Sequence, residues 1–365
     1  MVNIEILQRA YQLMCTAGAM ASLYDQQRGV CKYVHSTSRG HEAIQLAAAF
    51  HLQPIDYVSP YYRDESLLLG LGFSPYELML QLLAKGGDPF TGGREYYSHP
   101  NYRGQGKPTI IHQSSATGMQ AIPSTGIAQG VAHREKLAQL DGQLPGERPV
   151  VICSLGDASI TEGEVSEAFQ FAALHQLPII YLVQDNDWGI SVTAQEARTS
   201  NAYEFIRGFK GIERITIDGS QFEDAYLTME WVMEMVRQHR QPCLLHAKVP
   251  LLGHHTSGVR KEFYRNAQEL EKEAQRDPVL RLRELLLGHG ISADELDTVA
   301  AEARRRVQGD FERACAAAEP HPDTVESHVF CSTTIIEEKG ERSPAGKEKI
   351  IMVDAALFAI REIME

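Results

Sequence analysis

The sequence predicts an α/β fold in which a parallel sheet is flanked by helices. Residues 150–155 and 178–183 are short apolar runs rich in β-branched side chains, which are typical of strands. Residues 164–175 lie between them and carry apolar side chains at helical spacing. A strand, a helix and a second strand in this order indicate a βαβ unit, and the two strands of such a unit are parallel.

The remaining elements follow the same alternation. Residues 213–218 and 242–249 are two further strand-like runs, and residues 222–238 between them have helical spacing. Other helices are predicted at residues 3–24, 44–50 and 125–140, and within the charged segment 262–315. The chain therefore has one α/β domain with a helical C-terminal extension.

Polar residues stand where two consecutive strands end. Gly156-Asp157 follows the first strand, and Asp185-Asn186-Asp187 follows the second. Because ligands bind beyond the carboxyl ends of parallel strands, we expect Asp157 and Asn186 to lie side by side. A carboxylate oxygen, an amide oxygen and a backbone carbonyl near Trp188 would suit Mg²⁺. Either residue alone is more simply a helix cap or a turn residue, but the pair favours a metal site.

A phosphate group is expected beside that metal. The turn of Asp157, Ala158 and Ser159 leads into a predicted helix, whose free N–H groups and dipole favour an anion. Mg²⁺ in proteins is commonly shared with substrate or cofactor phosphates. Metal and phosphate together are therefore the interpretation that fits both strand ends.

Composition limits the class of protein. The 365 residues carry a net charge of −13, which argues against a nucleic-acid partner. Six cysteines without a CxxC motif or a regular framework indicate reduced thiols and a cytoplasmic setting. We see neither a signal peptide nor a long apolar span, so neither secretion nor membrane insertion is expected.

The motif GDAS, followed by QDND, resembles the thiamine diphosphate motif, which usually reads Gly-Asp-Gly and, about 25–30 residues later, Asn-Asn. The surrounding residues, roughly 39–287, are similar to the E1 α subunits of 2-oxo acid dehydrogenase complexes, and to the branched-chain type more than the pyruvate type. The resemblance implies a thiamine diphosphate-binding fold of the PP-type module. Ala158 and Asp185 depart from the usual Gly and Asn, and the extra acid needs solvent or a partner.

The resemblance assigns roles to residues of this chain. Mg²⁺ would be held by Asp157, Asn186 and the carbonyl of Trp188. Tyr62 and Arg63, in the run Pro-Tyr-Tyr-Arg-Asp, would hold the terminal phosphate, although an Arg on a loop could also simply face solvent. The other cofactor-binding residues that the resemblance implies are Ser115, Gly156, Ala158, Ser159 and His255.

Two loops would complete the cofactor site. Residues 85–111 are rich in Gly, Pro, Tyr and His, which predicts a long functional loop, and its His99 resembles a family histidine. The run from Gln113 to Pro123 is similar to a family segment in which an apolar residue props the cofactor. Met119 and Ile122 are both candidates for that role.

The run Gly253-His254-His255-Thr256-Ser257 resembles the Gly-His-His-Ser loop of branched-chain α subunits. Matching it residue by residue makes His255 the catalytic histidine, able to give or take a proton. Two adjacent histidines by themselves more often face solvent. The family's Arg four positions earlier is replaced by Leu251, and phosphorylation of Thr256 or Ser257 is left open.

Glu42 near the start of a predicted helix is a second catalytic candidate. The helix dipole explains an acidic residue at that position more simply.

The chain divides into five predicted segments. Residues 1–38 are an N-terminal helical segment, 39–260 the domain that binds thiamine diphosphate and Mg²⁺, and 261–318 a helical extension. Residues 319–349 have the polar, Pro-containing composition of a linker. Residues 350–365 resemble the truncated opening of an E1 β subunit, which predicts a fused α–β chain; a helix folding back on its own domain is the alternative.

The predicted function is oxidative decarboxylation of a branched-chain 2-oxo acid by an E1 component, with acyl transfer to a lipoyl group on E2. Expected partners are an E1 β subunit or fused β half, which would supply the carboxylate for the pyrimidine ring, and the lipoyl domain of E2. The assembly would be a dimer of α–β units, a heterotetramer if the chains are separate. A pyruvate or acetoin dehydrogenase E1 is the alternative, whereas a plain nucleotide-binding module lacks its glycine motifs.

Overall fold

The computed structural model describes residues 1–112, 114–141, 146–327, 329 and 349–364. Residues 1–321 form one compact unit, and residues 322–365 belong to a second. The strands are β1 (Tyr57–Ser59), β2 (Thr109–Ile110), β3 (Val151–Gly156), β4 (Ile179–Asp185), β5 (Trp188–Gly189), β6 (Val192–Thr193), β7 (Glu213–Asp218) and β8 (Cys243–Lys248).

The helices of the first unit surround these strands. They are α1 (Ile4–Gln26), α2 (Glu42–His51), α3 (Glu65–Gly70), α4 (Pro75–Leu82), α5 (Ala121–Leu140), α6 (Gly163–His175), α7 (Ala194–Ala197), α8 (Ala202–Phe205), α9 (Phe222–His239), α10 (Ala267–Ala274), α11 (Pro278–Gly288) and α12 (Ala293–Ala316).

The main sheet is parallel throughout, with strand order β2-β1-β3-β4-β8-β7, which confirms the predicted fold class. β3 and β4 are adjacent and in register, with Gly156 paired to Gln184 at their carboxyl ends. β5 and β6 form a separate antiparallel ribbon directly after β4. The residues that follow β3 and β4 therefore meet at one edge of the sheet.

Side chains of the sheet alternate between two apolar layers. Val151, Cys153 and Leu155 of β3 pack into one buried cluster, with helices α5 and α6. Val150 and Ile152 pack into the other, with α1, α2 and α9. A sheet covered on both faces needs apolar residues at every position of its central strands, which explains their continuous apolar runs.

The predicted helices begin and end within about two residues of their expected positions except at α5, whereas α3, α4, α7 and α8 were not predicted. Helix α5 begins at Ala121, four residues before the predicted start, and it contains Pro123 in its first turn. Proline is tolerated there because the first N–H groups of a helix have no carbonyl partner within it. The proline therefore does not delay the helix start.

The N-terminal and C-terminal helices of the first unit pack together. Helix α1 begins at an Asn3 cap and contacts both α11 and α12, and it shares the larger apolar cluster with the sheet. The predicted segment boundaries at residues 38 and 260 stay predictions. Within the described residues, no helix combines the length and apolar character needed to cross a membrane.

The second unit contains one further described helix, α13 (Met352–Met364). Its apolar side chains, which include Leu357, Phe358, Ile360 and Ile363, are exposed. Most of the predicted linker lies outside the described residues. The prediction that α13 opens a β-type domain stays a prediction.

Candidate functional site

One cavity of about 630 Å³ collects the residues that the sequence singled out. Its walls come from the residues after β1, after β3 and after β4, together with four other segments, within residues 34–36, 96–99, 114–120 and 255–256. The predicted residues that line it are Tyr62, Arg63, Ser115, Gly156, Asp157, Ala158, Ser159, Asn186, Trp188 and His255.

Other candidates lie elsewhere. Met119 and Ile122, the two proposed props for the cofactor, do not line this cavity; Thr117 and Gly118 do. His254 lines a different cavity, beside Arg28 and Arg260.

Glu42 also lies outside the cavity. It is fully buried, accepts a hydrogen bond from Gly40 N at 2.7 Å and pairs with Arg39. Its position supports the structural role that a helix start suggests.

Arg63 is buried in the cavity wall with part of its guanidinium unpaired. The side chain is 1% exposed, and its Nη2 donates to the carbonyl of His255 at 3.3 Å. Its Nε and Nη1 have no hydrogen-bond partner among the described residues. Since a buried cationic donor without a partner is costly, this geometry fits an anion that enters the cavity from solution.

Asp157 and Asp185 share a cation that sequence reasoning did not anticipate. Arg198, which follows α7, donates to Asp157 Oδ2 and also to Asp185 Oδ1 at 3.3 Å. The three side chains are at most 5% exposed. Burial and the neighbouring Asp185 raise the pKa of Asp157 to about 7, against the opposing effect of Arg198. The Arg198 guanidinium therefore binds one of the two carboxylate oxygens of Asp157.

Asp185, the extra acid of the motif, has a buried hydrogen-bond partner. Its Oδ2 lies 2.7 Å from Nε2 of His246, a fully buried residue of β8. Burial alone would raise the pKa of Asp185, but the hydrogen bond and charge of His246, with Arg198, lower it. The extra acid of this motif is thus balanced from a neighbouring strand, a pairing that the sequence could not reveal.

Asn186 is held at both ends of its amide. Its Oδ1 accepts from Trp188 N at 3.1 Å, across Asp187, which has a positive φ of 63°. Its Nδ2 lies 3.3 Å from Nε2 of His41, the residue just before α2. Trp188 is covered in turn by the guanidinium of Arg265, 4.9 Å from the indole ring.

The turn after β3 differs from the expectation in one respect. Asp157–Thr161 form a 3₁₀ turn, and the α-helix begins only at Gly163. Ser159 Oγ donates to the carbonyl of Gly156 at 2.6 Å and tightens this turn. The cavity is therefore lined by residues of the 3₁₀ turn and by Glu162, the residue before α6.

His255 faces the cavity as a neutral imidazole. Burial first, and then the charge of Arg63, lower its pKa to about 4. Its Nδ1 has no partner among the described side chains, while its backbone carbonyl accepts from Ser36 Oγ at 2.7 Å. The ring lies 6.1 Å from that of Tyr62. An uncharged nitrogen without a partner among the described residues therefore lies in the cavity wall.

His99, the family histidine of the predicted loop, lines the cavity beside Ser115. Its Nδ1 lies 2.9 Å from the carbonyl of Tyr97, and because a carbonyl only accepts, that nitrogen carries the proton. The Nε2 therefore accepts from Ser115 Oγ at 3.0 Å. This pair fixes the hydroxyl of Ser115 in the cavity wall.

Comparison with known proteins identifies the family. The family model described as "Dehydrogenase E1 component" matches residues 13–323. The chain belongs to the dehydrogenase E1 component family. This confirms the family that the sequence motifs suggested.

Individual relatives are similar over most of the chain. The 2-oxoisovalerate dehydrogenase subunit alpha of Bacillus subtilis (strain 168) is 29% identical over 80% of this chain and 85% of its own length. The 3-methyl-2-oxobutanoate dehydrogenase subunit alpha of Mycobacterium tuberculosis (strain ATCC 25618 / H37Rv) is 27% identical over 95% and 87%. A mitochondrial 2-oxoisovalerate dehydrogenase subunit alpha of Arabidopsis thaliana is 27% identical over 87% of this chain but 64% of its own length.

Proposed function

We propose that this chain is the α-type part of an E1 component that binds thiamine diphosphate and Mg²⁺ and decarboxylates a branched-chain 2-oxo acid. The observation that carries the proposal is the buried Arg63, whose Nε and Nη1 lack a partner among the described residues in a cavity shared with Asp157 and Asn186. A diphosphate with its metal would satisfy both features together.

The oxygen atoms near the cavity suit Mg²⁺. Asp157 would supply one carboxylate oxygen, Asn186 its Oδ1 and Trp188 its carbonyl, and phosphate and water would complete six positions. Mg²⁺ would bind the other carboxylate oxygen of Asp157 or displace Arg198 from Oδ2. Asp185, which also accepts from Arg198, offers that guanidinium a place to remain.

The phosphate end of the cofactor would lie against Arg63 and Tyr62. The guanidinium of Arg63 packs 5.3 Å from the Tyr62 ring, which holds its plane in position. A planar guanidinium with two free N–H directions matches a phosphate better than a lysine would. Ala158 and Ser159 would add contacts from the 3₁₀ turn, and Ser115 from the loop before α5.

The reaction needs proton handling as well as binding. When bound, thiamine diphosphate supplies the nucleophilic carbon that makes decarboxylation of a 2-oxo acid feasible. The neutral His255 can accept a hydrogen bond or a proton at Nδ1, and an anionic group beside Arg63 would raise its pKa toward neutrality. We assign His255 to orienting intermediates and to acyl transfer.

A second polypeptide part is needed for the carboxylate that acts on the pyrimidine ring. The acidic side chains that line the cavity, in the part of the chain that the structure describes, are Asp157 and Glu162. Asp157 is committed to Arg198 or metal, and Glu162 is exposed. We therefore propose a β-type subunit or β half as the source, in α–β units that dimerise, with a lipoyl domain of E2 as acyl acceptor.

The variant Glu162→Gln, assayed in the presence of the β-type part, tests whether Glu162 is the carboxylate that acts on the pyrimidine ring. Decarboxylation close to wild type is expected, because Glu162 would not be the acid. Loss of turnover in Glu162→Gln would place the acid on this chain.

Branched-chain substrates are proposed because the relatives named above are 2-oxoisovalerate and 3-methyl-2-oxobutanoate dehydrogenase subunits. With the β-type part and a lipoyl acceptor present, 3-methyl-2-oxobutanoate should be turned over with a higher kcat/KM than pyruvate. A preference for pyruvate would instead support the alternative class of E1 component.

Calorimetry tests the cofactor. Thiamine diphosphate with Mg²⁺ should bind, whereas NAD and ATP under the same conditions should not. Removing Mg²⁺ should weaken binding strongly. Equal heats for ATP and thiamine diphosphate would contradict the proposal.

A further inference from the structure

We propose that His41 is a positioning residue that fixes the amide of Asn186 with its oxygen toward the metal site. This inference rests on the proposed function, since it concerns a ligand of the proposed Mg²⁺. It follows from a chain of buried hydrogen bonds that begins at Asp64 and ends at Asn186, and each member of that chain determines the orientation of the next.

The first step fixes Gln184, the residue of β4 paired with Gly156. Its Nε2 donates to Asp64 Oδ1 at 2.7 Å and lies 2.9 Å from Ser154 Oγ. A carboxylate oxygen accepts and does not donate, so the amide nitrogen of Gln184 must face Asp64. Its Oε1 then faces away from Asp64, where it accepts from Gln45 Nε2 at 2.9 Å.

The second step fixes the tautomer of His41. The same Oε1 of Gln184 lies 2.9 Å from His41 Nδ1. Because an amide oxygen only accepts, the proton sits on Nδ1. The hydroxyl of Tyr61 is farther away, 3.4 Å from Nδ1, and it can accept from the same N–H. The Nε2 of His41 is left with its lone pair.

The third step fixes Asn186. Its Nδ2 lies 3.3 Å from His41 Nε2, so a lone pair faces an N–H donor. The opposite orientation would bring Oδ1 against that lone pair and the amide nitrogen against the N–H of Trp188. Both contacts would then be repulsive. The observed orientation leaves a second lone pair on Oδ1 for a metal.

Burial makes this orientation stiff. His41, Gln45 and Gln184 are fully buried, and Asp64 is 1% exposed, so water cannot replace a lost bond. These hydrogen bonds connect β4 to α2 and to the residues after β1, three parts of the same domain. Groups that orient a metal ligand from behind commonly change metal affinity 10–100-fold when removed.

Two substitutions at position 41 separate positioning from simple packing. His41→Gln can place an amide oxygen near the Nε2 position and accept from Asn186, but it loses the donor to Gln184. His41→Asn can keep a donor near Nδ1 for Gln184, but it has no acceptor that reaches Asn186. Both remove an aromatic ring from the same buried space.

Binding is measured by fluorescence with Mg²⁺ and thiamine diphosphate. The chain has two tryptophans, and Trp231 is 53% exposed on α9, so Trp231→Phe leaves Trp188 in the cavity wall as the reporter. The expected result is a roughly 10–100-fold weaker apparent Mg²⁺ affinity in His41→Asn and a loss under about 5-fold in His41→Gln. Equal losses in both variants would overturn the inference.

A double-mutant cycle with Asn186→Ala checks the coupling. Once Asn186 is removed, His41→Asn should weaken Mg²⁺ binding no further. Additive losses would overturn the inference. Absence of Mg²⁺-dependent binding in the parent Trp231→Phe chain would overturn the proposed function itself, so the two failures differ.

A measurement on the wild-type chain needs no folded variant. NMR of ¹⁵N-histidine-labelled protein distinguishes the two neutral tautomers of imidazole. His41 should carry its proton on Nδ1, and a proton on Nε2 would overturn the inference.

Discussion

A substitution of Arg198 tests whether its positive charge balances the buried carboxylates of the site. Its guanidinium donates to Asp157 and Asp185, and all three side chains are almost wholly buried. Asp185 keeps His246 as a second partner, whereas Asp157 depends on Arg198 for a positive charge. Arg198→Met retains a long apolar side chain and removes that charge. We expect the metal-free chain to become markedly less stable.

The magnitude follows from the burial of the pair. Breaking a buried ion pair by removing one partner can cost about 3–5 kcal/mol where the remaining charge stays uncompensated. Asp157 can take up a proton instead, because its pKa of about 7 is close to the assay pH, so the part of the loss that depends on its charge is limited to about 1.4 kcal/mol for each pH unit above 7. The loss should be largest above about pH 7, where Asp157 is ionised, and should shrink as the pH falls. Protonation neutralises the carboxylate, which then needs no counter-charge.

The assay is urea unfolding of the metal-free chain at about pH 8. Arg305→Met is the matched control, since Arg305 is 79% exposed and its pair with Glu302 spans 3.8 Å; it should cost less than about 0.5 kcal/mol. Mg²⁺ with thiamine diphosphate should restore most of the stability of Arg198→Met. Asp157→Asn combined with Arg198→Met should also lose less than Arg198→Met alone.

Two outcomes would show that Arg198 does not supply at Asp157 the positive charge that Mg²⁺ would supply. In the first, Arg198→Met unfolds at the same urea concentration as Arg305→Met. In the second, added Mg²⁺ and thiamine diphosphate stabilise wild type and Arg198→Met equally.

Three further predictions concern the cavity. Asp157→Ala should abolish Mg²⁺-dependent binding of thiamine diphosphate in calorimetry while the circular dichroism spectrum stays unchanged; wild-type affinity would exclude Asp157 as a ligand. His255→Ala, assayed with the β-type part, should keep cofactor affinity and lose most lipoyl acylation, whereas His254→Ala, whose side chain lines another cavity, should lose little; the reverse order would exchange their roles. Burial and Arg63 lower the pKa of His255 to about 4, so the unfolded chain binds the extra proton between about pH 4 and 6.5 and the free energy of unfolding rises with pH across that window. His255→Gln should remove about 1–3 kcal/mol of that rise, near the lower figure because the ring is partly exposed; an unchanged pH profile would contradict a neutral buried His255.

Local sequence pattern predicted the parts of the fold whose side chains alternate or repeat. Strands β3, β4 and β8 were recognisable because they lie inside a sheet whose faces are covered and are apolar or buried almost throughout, whereas the edge strand β7 was recognisable because Ile215 and Ile217 alternate with polar residues. β1 and β2 were missed, since three and two residues are too short for a periodic pattern. Their positions depend on pairing with β3, which is a tertiary effect.

The cavity residues were predictable where a motif places them directly after a strand. Asp157 and Asn186 are of this kind. Arg198, His246 and His41 were not, because the neighbours of each residue in the sequence do not show that its side chain turns toward these strand ends. The only available signal was the unusual Asp185, which required a buried counter-charge without indicating where in the chain it would come from.

The most direct test of the cofactor site compares thiamine diphosphate, thiamine monophosphate and thiamine in wild type and in Arg63→Met, by calorimetry with Mg²⁺. Arg63 is 1% exposed, and its Nε and Nη1 lack partners among the described residues. Wild type should bind the diphosphate far more tightly than thiamine, and Arg63→Met should lose most of that preference. Thiamine binding as tightly as its diphosphate in wild type, or an unchanged preference in Arg63→Met, would contradict a diphosphate held at Arg63.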